Sequence, residues 1–149
     1  MELTGVFFEK CGVHATWIES SFSVPWTERD ILELFADSLS RPELRKEDQQ
    51  FWQTAVYYEG AKRSNAGLRH LTAAMLDCDC ADPGAMDEVL RALRAQGLAH
   101  FAYTSWSHQS PEKMHKDTQR RGPFDCFRLV LPYSRPALHD EHRSVVPGL

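Results

Sequence analysis

Two aspartates one residue apart, Asp77 and Asp79, have the type and spacing in this chain that could do chemistry. They close the run Leu71–Cys80 (LTAAMLDCDC), which opens apolar. On an extended strand successive side chains alternate, so both carboxylates project to one face and Cys78 and Cys80 to the other. Two anions at the end of a buried strand repel each other, and desolvation is costly unless a cation or donors compensate. Mg²⁺ or Mn²⁺ meets that need, because hard divalent ions prefer oxygen ligands. The structural alternative is that the pair merely begins a loop and caps the next helix. Further along come Ser107 and His108, then Lys113 and Lys116, then Arg128. Metal-binding aspartates beside a histidine and cationic side chains suit a nucleoside triphosphate. The metals neutralise and align the phosphates, His108 donates to a phosphate oxygen, and Lys113, Lys116 and Arg128 supply further positive charge. In-line attack by a hydroxyl on the α-phosphorus is the polymerase form of this chemistry. No glycine-rich phosphate loop is present, which argues against a P-loop enzyme.

The elements that must position these residues can be read from periodicity. An apolar run with no turn residue inside makes Leu71–Cys80 a buried central strand. Ala81-Asp82-Pro83-Gly84 then suits a helix start, and Met86, Val89, Leu90 and Leu93 form one apolar stripe, so a helix over Pro83–Gln96 ends at Gly97 with its stripe in the core. Leu98–Ser105 reads as a second strand. Strand, helix, strand at this spacing is a βαβ unit with parallel strands, which brings Ser107 and His108 beside the aspartates. Gln109–Pro123 is polar and predicts a mobile loop, and Phe127–Leu131 is a strand antiparallel to its predecessor, stopped by Pro132 and Pro136. Arg128 alternates with Phe127 and Leu129 and serves either a phosphate or a structural carboxylate. Trp106 is read as core rather than as a base-stacking platform.

Upstream, Met1–Ser23 offers one or two short strands. Thr27 followed by Asp30 is an N-terminal cap of the capping-box kind, opening a helix over Glu28–Leu39. Glu43–Gln53 is a polar helix or loop, Ala55–Tyr58 a short strand, and Lys62, Arg63 and Arg69 a basic concentration that reads first as a solvated loop. Ala137–Leu149 carries no element. The expected architecture is α+β: a small mixed sheet with the βαβ unit at its centre and helices packed on one face.

A chain of 149 residues predicts one domain. A net charge of −4 gives no global attraction to nucleic acid, so any such role rests on a local basic patch or a metal. No apolar run approaches the roughly 20 residues that span a bilayer, and the N-terminus has no signal-peptide shape. Cys11, Cys78, Cys80 and Cys126 form no C-x-x-C pair and read as reduced thiols, with a cytoplasmic location expected.

The segments AMLDCD, YTSWSH and FRLVLPYSRP, in this order and at these intervals, resemble the archaeo-eukaryotic primase superfamily, in particular the primase–polymerase domains of phage and plasmid replication proteins. Trp26 before a helix and Gly60-x-Lys62-Arg63 before the strand add to the likeness, which covers roughly Ser21–Pro136. The resemblance implies an RRM-like primase core, catalytic Mg²⁺ or Mn²⁺ on Asp77 and Asp79, and a serine–histidine motif at Ser107 and His108 that contacts the incoming nucleotide. It implies a single-stranded DNA template as partner, with a helicase domain or protein downstream. The family carries a third catalytic acid after the R-P segment. Here only Asp140 and Glu141 follow that segment, in an apparent loop. Either the third acid is missing, or Asp140 substitutes for it, or the chain is the N-terminal portion of a larger module. Two other readings compete: a metal-dependent nuclease or phosphohydrolase using the same D-x-D and histidine, and a catalytically incomplete replication module that binds nucleotide or DNA.

Overall fold

The computed structural model describes residues 1–8, 17–36 and 51–146. The fold is α+β. Its described elements run β1 (Glu2–Phe8), β2 (Ile18–Pro25), α1 (Glu28–Leu34), β3 (Phe51–Gln53), β4 (Ala55–Tyr57), β5 (Leu68–Ala81), α2 (Ala85–Ala95), β6 (Phe101–Thr104), β7 (Asp125–Ala137) and α3 (His139–Val145). One sheet has the order β2-β1-β3 and the other β4-β5-β7-β6. The chain parts into two compact units, Met1–Ala74 with Tyr133–Leu149, and Met75–Pro132.

In the first unit β1 pairs antiparallel with β2 and β3, placing Gly5 opposite Phe22 and Phe7 opposite Trp52. Phe7, Phe22, Phe35 and Trp52 form a ring cluster with centroids 4.7–6.3 Å apart. Such tilted and edge-on contacts add to the apolar burial of the rings. The Thr27 hydroxyl accepts from the Asp30 backbone N–H at 3.2 Å, as an N-cap should, but the reciprocal half of the expected capping box is not made: the Thr27 N–H donates to Pro25 O (2.8 Å) and the Asp30 carboxylate accepts the Thr27 hydroxyl instead. Helix α1 is described to Leu34, with Ala36 helical as well, and the stretch to Leu39 lies outside the described residues, as do Cys11 and 43–50. The buried Thr54 and Thr72 hydroxyls donate to the carbonyls of Ala73 (2.7 Å) and Thr4 (2.6 Å), which satisfies polar groups that burial would otherwise strand.

In the second unit β6 runs antiparallel to β7, with Phe101 opposite Val130 and Thr104 opposite Phe127. The expected βαβ unit is corrected here. The strands β5 and β6 do flank a helix, but β7 lies between them, and the sheets are antiparallel rather than mixed. Helix α2 has Gly84 as its N-cap (φ +91°), so Pro83 precedes the helix instead of opening it. It ends in a Schellman turn, with Gly97 at φ +66°, its N–H on Arg94 O (3.0 Å) and the Leu98 N–H on Leu93 O (3.0 Å). The stripe Met86, Val89, Leu90 and Leu93 is half-buried, and no residue of α2 is fully buried, in contrast to the core stripe expected.

Pro132 and Pro136 do not stop β7, which continues to Ala137. Cys126 turns its backbone toward β6, since its carbonyl accepts the Ser105 N–H at 2.8 Å. The two prolines share its parity, and β6 pairs no further than Val130, so their missing N–H groups face a side that β6 does not reach. Ala137–Leu149 also differs from expectation. His139–Val145 is helical, and the Glu141 carboxylate accepts the Leu138 N–H at 2.9 Å while holding Arg135 at 2.7 and 3.1 Å.

Candidate functional site

The acidic exit of β5 faces a basic segment of the same unit. Asp77 and Asp79, two residues apart on β5, are both exposed. Asp77 Oδ1 lies 3.6 Å from Arg128 Nε of β7, and Asp79 Oδ2 lies 2.8 Å from Lys113 Nζ. Just beyond the strand Asp82 pairs with Arg120. Burial raises the Asp79 carboxyl, but the Lys113 ammonium, the Cys126 thiol and the Lys116 charge together hold it below the usual carboxylate range. Conversely the Asp79 carboxylate raises the Lys113 ammonium.

The loop that carries Lys113 and Lys116 folds as a hairpin, which is why its charges have fixed addresses. Met114 and Arg121 form a bridge, the His115 N–H donates to Arg120 O at 2.9 Å, and the Gly122 N–H donates to Lys113 O at 2.8 Å. Ser107 and His108 occupy the turn that follows β6, with the His108 N–H on Ser105 O at 3.0 Å. His108 Nδ1 accepts the Cys126 N–H at 3.2 Å, so a neutral ring carries its proton on Nε2. Trp106 is half exposed rather than core.

The structure thus brings Asp77 to Arg128 and Asp79 to Lys113, and ties His108 to β7. His108 does not join the aspartates in a tight donor cluster. Among the described residues, the one group of at least three His, Cys, Asp or Glu ligand atoms mutually within 4.8 Å is Asp79, Cys80 and Cys126. Strict alternation predicts Cys80 on the face opposite Asp79. Cys80 instead adopts φ +57°, which breaks the alternation at the strand end. Burial first, then the Asp79 charge, push the Cys80 thiol up, and burial and Asp77 do the same to Cys78.

Asp125 is the residue that sequence reasoning missed. It is 3% exposed, and its carboxylate accepts the N–H groups of Gly84 (2.9 Å) and Met86 (3.0 Å) and the Gln109 side-chain amide. Burial raises its carboxyl, but these donors and the nearby His108 ring hold it below the usual range. A signal was present in the chain: the helix beginning after Pro83-Gly84 has no side-chain cap of its own, so its orphan N–H groups need an acceptor from elsewhere.

Compared with models of known protein families, with curated proteins and with solved structures, the chain matches none. Asp140 lies in the first turn of α3, fully exposed and 3.6 Å from His139 Nδ1, in the first unit rather than in the unit of Asp77 and Asp79. Lys62 and Arg63 are also in the first unit, stacked over Trp17 (4.7 Å) and Phe51 (4.8 Å). A groove of about 530 Å³ in that unit is lined by Thr4, Gly5, Phe22, Tyr57 and Tyr58 among others, and none of the site residues nominated above lines it. No helix among the described residues is long and apolar enough to cross a membrane.

Proposed function

We propose that the chain is a metal-dependent nucleotidyltransferase of the primase–polymerase type, with Asp77 and Asp79 as its metal-binding pair. The observation that carries this reading is that each carboxylate of the D-x-D meets its own cation, Arg128 for Asp77 and Lys113 for Asp79. Exposed ion pairs of this kind are worth about 0–1 kcal/mol each. Lys113 and Arg128 can therefore pass from carboxylate to phosphate at little cost, which frees two hard oxygen donors. Those donors fit Mg²⁺ or Mn²⁺ by chemistry. Bound there, the ion supplies charge neutralisation and polarisation of the reacting phosphate. Lys113, Lys116 and Arg128 hold the phosphate charge, and His108, fixed through Nδ1, offers Nε2–H as a donor, with Ser107 beside it.

The test is incorporation of labelled nucleotides by the full chain with Mn²⁺ on a single-stranded DNA template, against the Asp77→Ala/Asp79→Ala double variant. Synthesis lost in the variant supports the proposal. Cleavage of the template in place of synthesis would transfer the same residues to a nuclease or phosphohydrolase. A second reading is a catalytically incomplete module that binds nucleotide or DNA. It is favoured by the carboxylate pair's having, among the described residues, no third acid clustered with it. Single-stranded DNA binding that persists in the double variant, with no synthesis by either protein, supports that module.

A further inference from the structure

We propose that Asp79, Cys80 and Cys126 form a site for a thiophilic divalent cation, Zn²⁺ foremost, distinct in chemistry from the hard-ion pair of Asp77 and Asp79. The three ligand atoms come from the end of β5 and the start of β7 and lie mutually within 4.8 Å. Zinc–sulfur bonds of about 2.3 Å in a tetrahedron set sulfur–sulfur separations of about 3.8 Å, so a small contraction closes the set. Two thiolates and one carboxylate are a donor set that selects Zn²⁺ or Cd²⁺ over Mg²⁺.

Three features around the cluster fit a cation site better than an accident of packing. Cys80 holds a left-handed backbone conformation that side-chain-bearing residues seldom adopt, and local strain of this kind collects at functional positions. The Cys80 N–H points at the Cys126 sulfur at 3.5 Å, so the sulfur already accepts a backbone donor of the sort that tunes metal-bound thiolates. Lys113 Nζ stands 2.8 Å from Asp79 Oδ2, a ligand atom of the set. A donor set of charge −3 around a +2 ion leaves −1, which one ammonium balances. On binding, the two thiols ionise, the sulfur lone pairs go to the metal, and the two protons leave to buffer. The fourth position belongs to solvent or an incoming ligand, since Asp79 is exposed. Because Asp79 serves both sets, a thiophilic ion withdraws it from the hard-ion pair. The site itself does not depend on the proposed nucleotidyl transfer.

The test is a Cd²⁺ titration of the full-length chain, kept reduced with a phosphine, followed by ultraviolet sulfur-to-metal charge transfer and reversed by Zn²⁺. The wild type is expected to take up one equivalent with a charge-transfer band, in the presence of excess Mg²⁺. Cys80→Ser should lower the band by about half, and Asp79→Asn should weaken binding about tenfold while leaving the band, whereas Cys78→Ser should match the wild type. Cys126 is fully buried, so Cys126→Ser is read only where circular dichroism shows a native fold. No band in the wild type, or a Cys78→Ser loss equal to that of Cys80→Ser, overturns the proposal. Neither result bears on nucleotide incorporation, which is measured separately.

Discussion

Lys113 Nζ lies 2.8 Å from Asp79 Oδ2, joining a hairpin to a strand end 34 residues away in sequence. The pair is partly exposed, so its worth to stability is about 0–1 kcal/mol. Lys113→Ala is therefore expected to leave urea unfolding almost unchanged. The same substitution should weaken binding of a Mn²⁺–nucleoside triphosphate about tenfold, because a charge-assisted contact to phosphate is lost. A urea titration followed by circular dichroism checks the first half, and titration calorimetry with the Mn²⁺–nucleotide the second.

Asp125 is expected to matter for stability rather than for chemistry. Asp125→Ala leaves the Gly84 and Met86 N–H groups and the Gln109 amide without their buried acceptor. The expected loss is about 2–4 kcal/mol, read from the shift in urea midpoint. Asp125→Asn keeps one carbonyl acceptor and should fall between the alanine variant and wild type.

Gly5 has no room for a side chain. A Cβ there would sit 2.2 Å from Gln53 O and 2.6 Å from the Phe22 ring. Gly5→Ala must push backbone and ring apart, at an expected cost of about 1–3 kcal/mol in thermal or urea unfolding.

The turn into α3 should be sensitive to acid. Arg135 and the Leu138 N–H hold the Glu141 carboxyl down at about 2, well under its ordinary value. A group depressed on folding stabilises fully above its unfolded pKa and loses that contribution as pH falls through the folded one. The Glu141 carboxylate is thus expected to titrate near 2 by carbon-detected NMR, with the start of α3 loosening over the same range. Glu141→Gln should remove that acid dependence and leave the neutral-pH fold intact.

Local signals were legible in the chain, and neighbourhood was not. Thr27 and Asp30 mark the start of α1 and Gly97 marks the end of α2, because each depends on one segment's own geometry. Alternation along β7 carries no such signal, since Cys126 and Val130, of the same parity as Arg128, are as buried as Phe127 and Leu129. The insertion of β7 between β5 and β6 depends on which edges pair, and periodicity carries no information about that. Pro132 and Pro136 misled for a related reason: a proline stops a strand only where its missing N–H faces a partner.

At the site, the aspartates were read at the end of a buried strand, whereas both carboxylates are exposed near the end of β5, and Arg128 is half-buried beside Asp77. The meeting of Cys80 with Asp79 required a left-handed residue inside a strand, which no pattern of apolar and polar residues encodes. Asp125 was hidden because its role is to complete a helix 39–41 residues upstream.

The most direct test of the metal–nucleotide reading is calorimetric titration of a nucleoside triphosphate into the full chain with Mn²⁺, beside the Asp77→Ala/Asp79→Ala variant. Saturable binding by the wild type that depends on Mn²⁺ and disappears in the double variant is the result expected. Binding that is equal in both proteins, or absent from both, would contradict the assignment of Asp77 and Asp79 as the metal-binding pair.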